Sequence, residues 1–319
     1  YTVLSTPGSY NTPMGICKTI NGAALDENVF IAEMGARYKG DIKELCDIAS
    51  PTYGIITAVG DMHIETMGSR DGVADTKFEL GASLPQSGLL LLNGYNADCR
   101  KLGERDAACA VETTGDDGAR LYVGYENLTI DGSGTGFTLV IGESKHDVTC
   151  KLLGGHIPEL VCVCARIAVE LGVDVADIVK AVESAPQVEH RLQLIPSADP
   201  SVVVIDDAYN SNPVGAKNAL DVLGCFDCKK VIITPGFVEL GGIEKECNTA
   251  LGGQIAAVCD YAFLVGSRAA DIKKGAVKAG MNEGVITVCA SRDEAVAALK
   301  DITGARVILF ENDLPDNIV

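Results

Sequence analysis

Apolar and polar positions alternate in a repeating rhythm along the C-terminal part of the chain. Short β-rich runs occur at "SVVVIDDAY" (201–209), "KKVIITPG" (229–236), "DYAFLVG" (260–266), "GVITVCAS" (284–291) and "ARVILFEND" (305–313). Between them lie "NPVGAKNALDVLGCF", "GIEKECNTALGGQIAAVC", "RAADIKKGAVKAG" and "RDEAVAALKDI", with apolar residues three or four apart. The first set predicts strands and the second helices. Strand–helix alternation with short connections predicts an α/β fold with a largely parallel, doubly wound sheet. Ligands of such sheets bind beyond the C-terminal strand ends, which here carry "DDAYNSN" and "ENDLPDN".

The N-terminal part begins in the same style. Strands are predicted at 1–6, 28–35, 53–60 and 88–94, and helices at about 13–25, 40–50 and 71–83. From about 108 to 150 the pattern turns to antiparallel strands, including "LTIDGSGTGFTLVIG". Two helices follow, "PELVCVCARIAVELG" and "VADIVKAVESA", and then "PQVEHRLQLIPSADP" (186–200) reads as a domain connection.

Composition narrows the class. The 319 residues are 47% hydrophobic and 22% charged, as expected of a folded soluble protein with room for two domains. No apolar run approaches the ~18 residues of a membrane span, so no membrane contact is expected. No signal-peptide pattern is visible, and the chain starts at Tyr1 without Met, so a trimmed fragment is expected. The net charge of −18 argues against nucleic acid as a partner, although a nucleotide needs only a local positive site or a metal ion.

The twelve cysteines are scattered singly, and Cys17, Cys46, Cys162, Cys164, Cys259 and Cys289 lie in apolar segments. They fit small buried hydrophobes in a reducing cytoplasm better than a disulfide framework. The one CxxC, Cys225 to Cys228, has no companion pair to complete a structural zinc site.

Candidate chemistry gathers at predicted strand ends. Glu33 follows "VFIA", where a carboxylate can hold Mg²⁺ on nucleotide phosphates or simply meet solvent. His63 lies three residues beyond "YGIITAVG", as a site residue or an ordinary surface His. Lys77, in "DGVADTKFEL", is expected on a solvated helix face, and its ammonium would repel a divalent metal. Asp206, Asp207, Tyr209 and Asn210 end a buried strand before a helix-opening Pro, as a ribose- and base-binding loop or a helix-start turn. "DGSGTGF" (131–137) lacks a following Lys-Ser/Thr and reads as a hairpin tip, and no G-x-x-x-x-G-K-[ST] occurs.

Two longer stretches carry a resemblance. "FIAEMGARYKGDIKEL…PTYGIITAVGDMHIETMGSRDGVADTKFEL" resembles the central ATP-binding domain of the Mur ligases. "VIDDAYNSNPVGAKNALDVL" and "ITPGFVELG" resemble their C-terminal domain, closest to the type that adds D-alanyl-D-alanine to UDP-N-acetylmuramoyl-tripeptide. The resemblance implies a P-loop-type central ATPase domain over residues 1–187, incomplete here and carrying a small antiparallel β segment. A Rossmann-like, doubly wound C-terminal domain over residues 188–319 would follow.

It also implies ATP-dependent amide ligation through an acyl phosphate, with two Mg²⁺ ions and with a UDP-muramoyl-peptide and an amino acid or dipeptide as substrates. The position of Glu33 matches the first-metal carboxylate and that of His63 a ligand of the second metal. Lys77 matches a lysine carried as a CO₂-derived carbamate, which reverses its charge. Arg191 matches an Arg that reaches the ATP phosphates. Asp206, Asp207, Tyr209 and Asn210 match the nucleotide-facing loop, and His156 a histidine near the adenine.

Departures accompany these matches. Ile157 and Leu160 stand where the family has asparagines, and Thr57-Ala58 where it has Thr-Asn. The ending "LFENDLPDN" replaces a Lys-Gly-Ser-type loop and leaves the amino acceptor open. With the family's P-loop expected upstream of Tyr1, this chain alone is expected not to turn over ATP. The rival expectations are a ligase of the folylpolyglutamate- or cyanophycin-synthetase kind and a Mur-like scaffold protein.

Overall fold

The computed structural model describes the chain except residues 25, 61–63, 209–211, 239 and 313–319, and except the side chains of 64 and 65. The predicted His63, Tyr209 and Asn210 therefore lie outside the described residues. Two compact units emerge: residues 1–125, 139–145 and 158–175 form one, and 126–138, 146–157 and 176–319 the other. No described helix is long and apolar enough to cross a membrane.

The first unit opens with strand β1 (Val3–Ser5), helix α1 (Pro13–Asn21), β2 (Val29–Ile31) and α2 (Asp41–Ala49). Then come β3 (Tyr53–Ile56), α3 (Ile64–Met67), α4 (Arg70–Ser83), β4 (Leu89–Leu92), α5 (Ala97–Leu102) and β5 (Ala110–Thr113). Its parallel strands form two small sheets rather than one, β1-β2 and β3-β4-β5. Strand β4 is buried on both faces. Leu90 and Leu92 pack with Val73, Phe78 and Cys99, while Leu89 and Leu91 meet Val163 and Ile167. This is the all-apolar run that a central parallel strand requires.

Local chemistry sets the helix starts. Thr12 caps α1 through the Gly15 N–H, with Pro13 at the first turn. Ser69 caps α4 through the Gly72 N–H. Helix α2 has no side-chain cap of its own. Instead Glu79 of α4 accepts the Gly40 and Lys43 N–H groups at 2.7 and 3.1 Å, locking α2 onto α4.

Strands β6 (Val123–Asp131), β7 (Gly134–Ile141) and β8 (Ser144–Cys150) form a meander whose two-residue links make neighbouring strands antiparallel. "DGSGTGF" is the first of these tips. Asp131 Oδ1 accepts the Ser133 N–H and hydroxyl at 2.8 and 2.6 Å. Helices α6 (Ile157–Glu170) and α7 (Val175–Glu183) follow.

In the second unit β9 (Gln193–Ile195) precedes β10 (Val202–Asp207), α8 (Pro213–Gly224), β11 (Lys229–Thr234), α9 (Glu244–Val258) and β12 (Tyr261–Val265). Helix α10 (Ala269–Lys278), β13 (Ile286–Cys289), α11 (Arg292–Ala298) and β14 (Arg306–Glu311) complete it. The six-stranded sheet runs β13-β12-β11-β14-β10-β9, parallel except for β9. This Rossmann-like sheet carries the predicted strands.

Three expectations need correction here: β5, inside the stretch read as antiparallel from about 108, pairs parallel with β4. The connection 186–200 contains an edge strand, with Gln193 opposite Asp206. Cys164 is exposed, unlike Cys46, Cys162, Cys259 and Cys289. Helices α9 and α10 pack backbone to backbone: a Cβ on Gly275 would lie 1.9 Å from the Thr249 carbonyl oxygen, and one on Gly252 2.0 Å from that of Ile272.

Candidate functional site

The residues of interest are divided between the two units, and within each unit they occupy separate places. In the first, Glu33 lies two residues past β2, exposed at the strand end. Its N–H donates to the Thr6 hydroxyl at 3.0 Å, and its Oε1 accepts from Asn11 Nδ2 at 3.3 Å. Thr6 follows β1, so the two short strands jointly present this carboxylate.

Lys77 corrects its sequence-based placement. Helix α4 buries Val73, Ala74, Thr76, Phe78 and Gly81, positions spread too widely for a single apolar stripe. Lys77 is consequently half-buried rather than on a solvated face. Burial pulls its ammonium below the ordinary lysine value. The neighbouring Cys99 thiol is pushed up to about 11 by burial, with the Lys77 charge opposing.

A second polar cluster sits at the ends of β3 and β4, and sequence reasoning missed it. Asn93, 3% exposed, donates from Nδ2 to the Thr57 carbonyl at 3.0 Å and to Glu159 Oε2 at 3.1 Å. Its Oδ1 accepts the Tyr95 N–H at 3.0 Å. The Tyr95 hydroxyl accepts the Tyr125 N–H, and the two rings lie 4.7 Å apart. The signal was an Asn directly after "LLLL", again at a strand's C-terminal end. Among the described residues, no group of three or more His, Cys, Asp or Glu could hold a metal ion.

In the second unit, His156 is exposed just before α6, its ring folded over Gly154. A Cβ on that glycine would lie 2.5 Å from the imidazole, and φ there is 136°. Ile157, at one of the two asparagine positions, is buried. At the end of β10 the structure brings Arg191, Asp206 and Asp207 together. Asp206 Oδ2 lies 2.8 Å from His190 Nδ1, and Asp207 Oδ1 accepts the Leu192 N–H at 3.1 Å. Burial raises the Asp207 carboxyl above its usual range, while the Leu192 N–H and the Arg191 charge pull it back. Asn212 is used as a cap: its Oδ1 accepts the Val214 and Gly215 N–H groups and starts α8.

Similar proteins bear on this arrangement. Residues 1–165 match the family model described as the Mur ligase middle domain. Residues 190–311 match that described as the Mur ligase, glutamate ligase domain. A UDP-N-acetylmuramoyl-tripeptide–D-alanyl-D-alanine ligase of Mycobacterium bovis is 29% identical over 99% of this chain, which spans 64% of that relative's length. MurF from Acinetobacter baumannii superposes with a TM-score of 0.81 at 24% identity, covering 98% of this chain and 68% of that one. MurF ligase from Thermotoga maritima, solved with ADP, gives 0.79 at 22%, covering 98% and 70%. At these identities the structures speak for the fold, and the two domain matches, in this order over most of the chain, decide the family: the chain belongs to the Mur ligases.

Proposed function

We propose that this chain, within its natural protein, is an ATP-dependent amide ligase of peptidoglycan precursor synthesis. It would join D-alanyl-D-alanine to a UDP-N-acetylmuramoyl-tripeptide in the cytoplasm. The observation that carries the reading is the alignment of 99% of the chain with a ligase of that name, alongside the two Mur ligase domain matches in this chain. The functional domains are taken as 1–187 and 188–319.

The chemistry follows from the leaving-group problem. A carboxylate oxygen does not leave as oxide, so the tripeptide carboxylate first attacks the ATP γ-phosphorus and ADP departs. The dipeptide amine then attacks the carbonyl carbon of the acyl phosphate. Inorganic phosphate leaves with one former carboxylate oxygen, and the amine proton passes to solvent or base. Glu33, His63 and a carbamate on Lys77 would hold two Mg²⁺ ions, which supply charge neutralisation between the anionic nucleophile and the polyphosphate.

Lys77 suits the modification, because only a neutral amine adds to CO₂ and burial disfavours its ammonium. Arg191 is assigned to the nucleotide phosphates. Asp206, Asp207, Tyr209 and Asn210 are assigned to the nucleotide-facing loop, and His156 to the adenine side.

The test incubates the natural full-length protein with ATP, Mg²⁺, UDP-N-acetylmuramoyl-tripeptide and D-alanyl-D-alanine, and reads products by mass spectrometry. The expected product is the UDP-muramoyl-pentapeptide, with a carbamate mass increment on the Lys77 peptide under native conditions. Product formation only with glutamate or another amine would replace the acceptor. No ATP-dependent product with any amine would refute the ligase reading.

A further inference from the structure

Two consecutive carboxylates at the end of β10 engage the same short turn. Asp206 receives the His190 imidazole at 2.8 Å, and Asp207 receives the Leu192 N–H at 3.1 Å. Arg191 stands between His190 and Leu192 in the chain, and its own N–H donates to the Val188 carbonyl at 3.2 Å. His190 and Leu192 both take left-handed backbone conformations, with φ of 57° and 47°. Non-glycine residues adopt that region rarely, and hold it only where surrounding contacts fix them there.

Those contacts are present on each side of Arg191. Leu192 is buried in the same apolar cluster as Ile205. The His190 N–H donates to Gln193 Oε1 at 3.2 Å, and Gln193 sits opposite Asp206 across β9 and β10. The His190 ring itself is 54% exposed, so packing does not hold it, whereas Asp206 is 18% exposed. Asp206 Oδ1 is also engaged, accepting the Ala208 N–H at 3.1 Å. Three carboxylate oxygens of the pair thus serve local backbone and the His190 ring.

We infer that Asp206 and Asp207 clamp the 190–192 turn, and that His190 is a positioning residue that aims Arg191 at the phosphates of a bound nucleotide. The clamp stands on this geometry alone; the aim at phosphate rests on the role proposed above for Arg191.

The experiment compares His190→Ala, His190→Gly and His190→Asn in the natural full-length protein. Amide exchange at Leu192 and ADP affinity by calorimetry are the readouts, and neither needs ligase turnover. His190→Ala is expected to speed Leu192 exchange and weaken ADP binding by about tenfold, the factor of one lost hydrogen bond to a charged group. His190→Gly relieves the backbone but removes the ring, and is expected to behave like His190→Ala. His190→Asn tolerates the left-handed region and keeps a donor, and is expected to restore most of both readouts.

In an Arg191→Ala background, His190→Ala is expected to cost no further ADP affinity. Unchanged Leu192 exchange in His190→Ala and His190→Gly would overturn the clamp. Faster exchange with the same added affinity loss in the Arg191→Ala background would overturn the aiming of Arg191, as would unmodified protein that binds no ADP. Failure to ligate D-alanyl-D-alanine, with these results intact, would fall on the proposed function alone.

Discussion

Arg166→Met should cost far more stability than any surface ion pair in this protein. Arg166 is 2% exposed and grips Glu112 with two parallel hydrogen bonds, Nε–Oε2 at 2.7 Å and Nη2–Oε1 at 2.9 Å. A third bond, at 3.0 Å, reaches Glu170. Glu112 is 9% exposed on β5, so deleting the arginine leaves a buried carboxylate whose remaining cation is Arg120 at 3.2 Å. Removing one partner of a buried pair costs about 3–5 kcal/mol. Arg120 is 63% exposed and screened, which places the expected loss near the lower end, about 3 kcal/mol.

The double variant Arg166→Met, Glu112→Leu removes both charges and should regain most of that loss. Lys217→Ala is the control: its i,i+4 pair with Asp221 is 60% exposed on each side and should cost at most about 0.5 kcal/mol. Urea unfolding read by amide exchange at β5 isolates this unit, because a chain with two compact units need not unfold in one step. An Arg166→Met loss as small as the Lys217→Ala loss would mean that the buried pair contributes no more than an exposed one. A double variant less stable than the single would contradict the expected recovery.

Gly275→Ala should destabilise the second unit by about 1–3 kcal/mol, because its Cβ would lie 1.9 Å from a carbonyl oxygen of α9. Gly253→Ala, within α9 and facing open space, should instead stabilise it by about 0.5–1 kcal/mol; urea midpoints of the two variants check the contrast. Lys77→Met carries a pH signature. Burial sets the folded pKa of Lys77 below the unfolded value of 10.5, so between the two values the unfolded chain binds more protons and stability rises with pH. In CO₂-free buffer the variant should therefore be more stable than the parent at neutral pH, with an advantage that shrinks as pH approaches 10.5. An advantage that grows with pH in urea titrations would contradict this.

The strand–helix alternation of residues 201–311 was legible because its strands lie in apolar runs with turn residues at their ends, as β10, β11 and β14 show. Strand β9 was not. Its three residues sit in a Pro-bounded polar segment and become a strand only by pairing with β10. Nor did pattern show that the N-terminal parallel strands divide into two sheets, since pairing partners are not encoded in alternation. Among the candidate residues, the strand-end position of Glu33 was legible from the apolar run before it. The half-burial of Lys77 was not, because α4 is covered on more than one side. His190 escaped notice because its partner Asp206 lies 16 residues away and only the fold unites them. Asn93 carried a readable signal, a polar residue ending the run "LLLL".

In the function proposed above, the amide forms through an acyl phosphate on the tripeptide carboxylate. The direct measurement supplies the natural full-length protein with ATP, D-alanyl-D-alanine and UDP-N-acetylmuramoyl-tripeptide carrying ¹⁸O in the reacting carboxylate. With both carboxylate oxygens labelled, each inorganic phosphate released is expected to carry one ¹⁸O, and release is expected to depend on both substrates. Phosphate free of ¹⁸O, or released at the same rate without the tripeptide, would contradict it.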